Sequence, residues 1–174
     1  MNGVKLKQAI VVRTKYPDDN GGVRKLRRGK EIAQACHASI AFLTRKLQKF
    51  MGYDFEDEDN YIRSQAEEWI SENSSSGLKG AFEEGYRRAK KDFGISPVEL
   101  GWINGIFTKI CLKVETEEQL LEIQKRALEN GLACHLITDR GLTEFKGVPT
   151  NTCLAIGPDR SDKIDEITKD LELY

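Results

Sequence analysis

No apolar run in this sequence approaches the roughly 20 residues needed to cross a bilayer, so no membrane-spanning helix is expected. Met1 through Lys7 are short and polar with no apolar signal region, so the chain is expected in the cytosol. Cysteine is sparse and unpaired: Cys36, Cys111, Cys134 and Cys153 stand singly and no CxxC pair exists. That argues against a disulfide framework, and the four are expected as buried, reduced thiols acting as small hydrophobes. A zinc site from Cys111, Cys134, His135 and Cys153 would need their strands to be neighbours, and the close paired spacing of zinc ligands is missing. No metal and no cofactor is expected. An excess of one charge is also lacking, since the net charge is −1, and no internal repeat points to a solenoid.

What remains is an ordinary globular mixture, 39% hydrophobic and 32% charged, over 174 residues, enough for one domain with its own core. The near-zero net charge hides an uneven distribution. Arg24–Lys30 (RKLRRGK) carries five positive charges and Asp54–Asp59 (DFEDED) five negative ones. A local basic patch is what a phosphate backbone requires, although such runs are commonly solvated loops.

Residues 8–13 (QAIVVR) suit a buried strand. After a turn-rich stretch, Tyr16–Gly22, a helix is expected from Lys30 to Phe50 with Ile32, Cys36, Ser39 and Leu43 on its packed face. Residues 52–101 read as a peripheral insertion with helical pieces at Tyr61–Ile70 and Leu78–Phe93. Phe107–Val114 alternates like a strand. Thr116 and Gln119 form a capping-box pattern opening a helix Glu117–Asn130, with Leu120, Leu121, Gln124 and Leu128 near one stripe and Gly131 as its stop. Strands follow at Leu132–Thr138 and Thr152–Ile156, then the Gly157-Pro158 breaker and a last helix Asp162–Leu171 capped by Ser161. This order predicts an α/β three-layer sandwich with a mixed, roughly four-stranded sheet flanked by helices.

At about 100° per residue, Lys30, Gln34 and His37 share one stripe, which this reading sets opposite the packed face. Lys30 lies in the first helical turn, where positive potential suits a phosphate or an oxyanion. A nucleotide P-loop fails in detail: six residues separate Gly22 from Gly29, and Glu31 stands where Ser or Thr is required. Asp139, at the carboxyl end of a buried strand, occupies the place where open α/β sheets hold ligand groups, and Thr143 supplies a hydroxyl nearby.

Lys30–Ser39 (KEIAQACHAS), together with Ala9–Arg13, Leu136–Thr143 (LITDRGLT), Thr152–Pro158 (TCLAIGP) and Leu171–Tyr174, resembles the type 2 peptidyl-tRNA hydrolases. The likeness is collinear over roughly 110 residues, more specific than any single motif. It implies a catalytic centre of Lys30, Asp139 and Thr143, with Gln34, His37 and Thr152 in or beside the same pocket binding substrate. It also implies that Arg13, Arg24, Arg27 and Arg28 contact tRNA phosphates, that peptidyl-tRNA is the substrate, and that the chain forms a homodimer. The chain departs from the family pattern at Leu142, where an arginine is expected, and at Glu144, where a glutamine is; Arg140 appears two places before Leu142. Those departures keep two alternatives open, a related aminoacyl-tRNA ester hydrolase and a tRNA-binding module without turnover.

Overall fold

The computed structural model describes residues 5–18, 20–50 and 94–174. The helices expected at 61–70 and 78–93, and the acidic run 54–59, lie outside the described residues. The chain divides into two compact units, residues 1–42 with 96–174, and residues 43–95. In the second, the Lys46 ammonium donates to the Gly94 carbonyl at 2.5 Å. The first carries the sheet.

Its elements are β1 (Leu6–Arg13), β2 (Tyr16–Pro17), β3 (Val23–Arg24), α1 (Arg28–Phe50, which continues into the second unit), α2 (Pro97–Ile103), β4 (Lys109–Val114), α3 (Glu117–Glu129), β5 (Cys134–Asp139), β6 (Thr150–Arg160), α4 (Ser161–Thr168) and β7 (Glu172–Leu173). The main sheet runs β5-β6-β1-β4-β7, with β1 and β4 parallel and the other pairs antiparallel. It is an α/β fold with a mixed sheet, of five strands rather than four. The extra strand is the carboxyl-terminal segment, where Leu173 pairs with Leu112. Two residues are too short for a periodicity to reveal.

Alternation along β1 distributes the core. Ala9 and Val11 join Leu112, Leu154 and Ile156 under Leu120, Ile123 and Ala127 of α3 and Ile164 and Ile167 of α4. Ile10 and Val12 point the other way, with Cys153 and Ala155, against Ala35 and Ala38 of α1. Helices therefore flank both faces. The capping box predicted at Thr116 is present, its hydroxyl accepting from Gln119 N–H while the Gln119 side chain accepts from Thr116 N–H.

Five expectations need correction. The packed face of α1 is Gln34, Ala38, Ala41 and Phe42, whereas Ile32 is 57% exposed and Cys36 is exposed. The large aliphatics drew the reading to the wrong side; alanines face the sheet because only a small side chain lets helix and strand approach closely. In α3 the stripe is Leu120, Ile123 and Ala127, with Leu121 and Leu128 exposed. Gly157-Pro158 does not end β6, which runs on to Arg160, and Ser161 makes no side-chain cap. Of the cysteines only Cys134 and Cys153 are buried; Cys36 and Cys111 are exposed.

Residues 97–101, assigned by sequence to the tail of the insertion, form most of α2. Its capping box joins Ser96 and Glu99, and Trp102 is buried edge-on to Phe42 at 5.8 Å between centroids.

The reoriented α1 gives a clear expectation. Ala38→Leu, pushing three carbons into a filled interface, destabilises by about 1–3 kcal/mol. Ile32→Ala changes stability by less than about 0.5 kcal/mol. Chemical denaturation of the two variants checks this, and the opposite ranking would reverse the helix.

Candidate active site

The open end of the sheet, at the carboxyl ends of β1 and β5, carries the candidate site. Three local features assemble it. The first is α1, whose Lys30, Gln34 and His37 line one cleft, as the 100° rule grouped them; the reading that set this stripe opposite the packed face is corrected, because Gln34 is itself buried on that face while His37 stays exposed. The second is the loop after β5. Gly141 there has φ +82°, and a Cβ would lie 2.4 Å from the Val148 carbonyl oxygen, so only glycine closes this turn. Its carbonyl accepts from Phe145 N–H and Gly147 N–H, which holds Thr143 in place.

The third feature is an irregularity in the β5–β6 pairing. Ile137 faces Cys153 but Thr138 faces Asn151, so Thr152 is the extra residue of a bulge. In a regular strand Thr152 and Cys153 would point to opposite faces. Here both reach one residue of α1: Thr152 Oγ donates to Gln34 Oε1 at 2.8 Å and Cys153 Sγ to the Gln34 carbonyl at 3.1 Å. Burial pushes the Cys153 thiol up to about 12, against an opposing hydrogen bond from Thr152, so it acts as a neutral donor.

Asp139 is the centre of the network. Its Oδ1 accepts from Gly141 N–H at 2.8 Å, and its Oδ2 from Gln34 Nε2 at 2.9 Å and from the Lys30 ammonium, with which it is ion-paired. Lys30 Nζ also lies 3.2 Å from Thr143 Oγ. Burial works to raise the Asp139 pKa, but the bonds from Lys30 and Gly141, the Lys30 charge and the Gln34 amide together outweigh it and hold the carboxyl below its ordinary value. An ionised carboxylate that already accepts three hydrogen bonds, one on Oδ1 and two on Oδ2, is a weak base that retains acceptor capacity. It can orient a water, and the neighbouring ammonium can meet a developing negative charge.

Lys30, Gln34, His37, Thr138, Asp139 and Thr143 line a cleft of about 410 Å³, shared with Ile137, Arg140 and Leu142. The three expected catalytic residues thus meet at one point. His37 is exposed on the wall. Gln34, 5% exposed, has its amide committed to Asp139 and Thr152, and Thr152 is buried behind it and off the cleft wall. Leu142 is 80% exposed at the rim. A larger cavity of about 1130 Å³ lies near the carboxyl terminus, walled by residues of mixed charge such as Lys15, Arg28, Glu118 and Glu122. Its two Lys–Glu pairs, Lys15–Glu115 and Lys113–Glu172, are open to solvent, unlike the largely buried Lys30–Asp139 pair. Among the described residues, no three His, Cys, Asp or Glu side chains are grouped as a metal ion would need.

The four arginines divide. Arg27 and Arg28 are exposed beside the amino end of α1, and Arg27 Nε pairs with Glu144 at 3.0 Å. Arg24 stacks on the Phe145 ring at 4.9 Å and donates to the Glu144 carbonyl at 2.5 Å. The structure does not bring Arg13 to the surface that the phosphate expectation requires. It is 5% exposed, bonded to Glu117 at 2.7 Å and to the Lys15 carbonyl at 2.9 Å, and lies over the Tyr16 ring. Sequence reasoning missed Gly141 N–H as a ligand of Asp139, because a backbone donor leaves no residue-type signal. It also missed the bulge.

Residues 6–174 match the family model described as Peptidyl-tRNA hydrolase PTH2. The peptidyl-tRNA hydrolase of Methanococcus maripaludis strain C7 is 34% identical over 167 residues, covering 95% of this chain and 97% of that protein. That of Methanopyrus kandleri is 33% identical over 168 residues, 96% and 97% of the two chains. That of Sulfolobus acidocaldarius is 31% identical over 170 residues, 97% and 99%.

Linkage gives the site a pH signature. Because its folded pKa is lowered, Asp139 stabilises the fold fully above its ordinary value of 3.8 and ceases to do so as pH falls through the lower folded value. The wild-type advantage in thermal midpoint over Asp139→Asn is therefore constant near neutrality and shrinks below about pH 4. A gap that widened on acidification would contradict the assigned ionisation.

Proposed function

The chain belongs to the PTH2 family of peptidyl-tRNA hydrolases, and on that premise we propose that Lys30, Asp139 and Thr143 carry out its reaction. The protein is an ester hydrolase acting on peptidyl-tRNA. The bond broken joins the peptide carboxyl to the ribose at the 3′ end of the tRNA. Water adds to the carbonyl carbon, the carbonyl electron pair moves onto oxygen, and collapse expels the ribose oxygen, which takes up a proton. The products are free tRNA and a peptide carboxylate.

Asp139 orients the attacking water through an oxygen that faces the cleft. Lys30 balances that carboxylate before substrate arrives and faces the oxyanion as it forms. Thr143 fixes the lysine and offers its hydroxyl to water or ester. His37, on the wall, contacts substrate. The observation that carries this reading is the ion pair of Lys30 with an Asp139 held ionised at the wall of an open cleft.

Arg27 and Arg28, with Arg24 behind them, receive the phosphates of the acceptor end. Glu144 serves that surface by holding Arg27. Arg13 supports the site from inside. The same proposal includes a cytosolic homodimer and one domain interrupted by an insertion; among the described residues no helix is long and apolar enough to cross a membrane.

Purified protein releases free tRNA from N-blocked aminoacyl-tRNA. Asp139→Ala and Lys30→Ala each lower kcat about 100- to 1000-fold, with circular dichroism confirming the fold. Near-full turnover in both variants would remove them from the chemistry. Arg27→Ala weakens tRNA binding and reduces the slope of log K against log salt by about one. An unchanged slope would take Arg27 off the phosphate path.

A further inference from the structure

Gln34 is a primary amide buried at the junction of α1 and β6, and its two ends face different demands. The carboxylate of Asp139 can only accept, so the end towards it must be the NH₂ group, 2.9 Å from Oδ2. The carbonyl end then needs a donor, and the Thr152 hydroxyl stands 2.8 Å from it. That hydroxyl has one proton and two competing acceptors, the Ile137 carbonyl at 3.3 Å and the Cys153 sulfur at 3.9 Å; the shortest contact, to Gln34, takes it. Rotating the amide by half a turn would aim Oε1 at the carboxylate and leave two acceptors facing each other in a buried place. Thr152 is only 1% exposed and off the cleft wall, so it has no route to substrate of its own.

We propose that Thr152 is a positioning residue that acts on hydrolysis only through Gln34, its hydroxyl locking the amide so that Nε2 fixes the Asp139 carboxylate facing the cleft. This rests on the assignment of Asp139 as the water-orienting group. The β6 bulge is what makes the lock, because without it Thr152 would turn to the opposite face from Cys153. Lys30 and His37 of α1 and Arg140 beside it are the charged or titratable groups lining the cleft with Asp139. On β6 the nearby titratable group is the Cys153 thiol, raised to about 12 and neutral. Losing the lock therefore lets the amide tilt and weakens its donation to Asp139 while the charges around the carboxyl stay unchanged, which moves the carboxyl upward.

Thr152→Val keeps the shape and deletes the proton. It is expected to lower kcat about 10-fold, one hydrogen bond to a charged group, with KM unchanged. The acid limb of the kcat profile moves to higher pH, and Thr152→Ser restores both. In a Gln34→Leu background the same Thr152→Val change costs nothing further. The carboxyl ¹³C titration of Asp139, followed by NMR, shifts upward in Thr152→Val and returns in Thr152→Ser. That reading needs no turnover. If even the wild type released no tRNA, the hydrolase assignment would fail while the titration still judged the lock. An Asp139 titration identical in wild type and Thr152→Val overturns the proposal, as does a loss carried by KM or one that persists in the Gln34→Leu background.

Discussion

Between α1 and β6 a neutral amide is buried where helix–sheet packing ordinarily places an aliphatic side chain. Burying it without partners would cost several kcal/mol, so its whole surroundings are constrained to satisfy it. Three donors and acceptors converge on Gln34: the Thr152 hydroxyl, the Asp139 carboxylate and, on its backbone, the Cys153 thiol. Those requirements set the rotation of α1 about its axis, the bulge in β6 and the direction of Asp139. Alanines at positions 35, 38 and 41 bring the helix close enough for the contacts to be made. The cleft is thus an outgrowth of the packing, and the carboxylate in it is held by groups that also hold the fold.

The Lys30–Asp139 pair adds a second constraint of a different kind. A carboxylate at 9% exposure is costly unless matched, and the match comes from a lysine 109 positions earlier in the chain. The pair supplies the opposite charge that a buried carboxylate demands, which ties the first turn of α1 to the end of β5. Thr143 and the glycine-closed turn beneath it complete the enclosure. What can happen in the cleft follows from this: orientation of a neutral nucleophile and relief of negative charge, with strong proton abstraction by the carboxylate disfavoured.

Much of this was legible beforehand. The strands β1, β4, β5 and β6 announced themselves by apolar runs, and the Thr116–Gln119 capping box fixed the start of α3 to the residue. Helical spacing grouped Lys30, Gln34 and His37, which do line one cleft, but set Gln34 on the unpacked side although it is buried; Asp139 was singled out by its place at a strand end. What could not be read was which side of α1 faced inward. Ile32, Cys36 and Leu43 carry more hydrophobicity than Ala38 and Ala41, yet interaxial distance, not hydrophobicity, chose the inner face. A bulge is equally invisible, because an extra residue in one strand is defined only by its partner. Arg13 looked like surface charge for the same reason: its partner, Glu117, lies 104 residues away.

The hairpin of β2 and β3 is closed by Asp18, whose carboxylate accepts from Asn20 N–H and Gly22 N–H at 2.8 Å each. Inward of that tip, Tyr16 and Leu26 clamp Phe145 of the loop after β5, with the two aromatic rings 5.2 Å apart. The connection from β1 to α1 is therefore anchored at its base through Phe145. Residues can be added or lost at the apex over evolutionary time without displacing Lys30. A peptide grafted between β2 and β3 would leave Lys30 in place for the same reason.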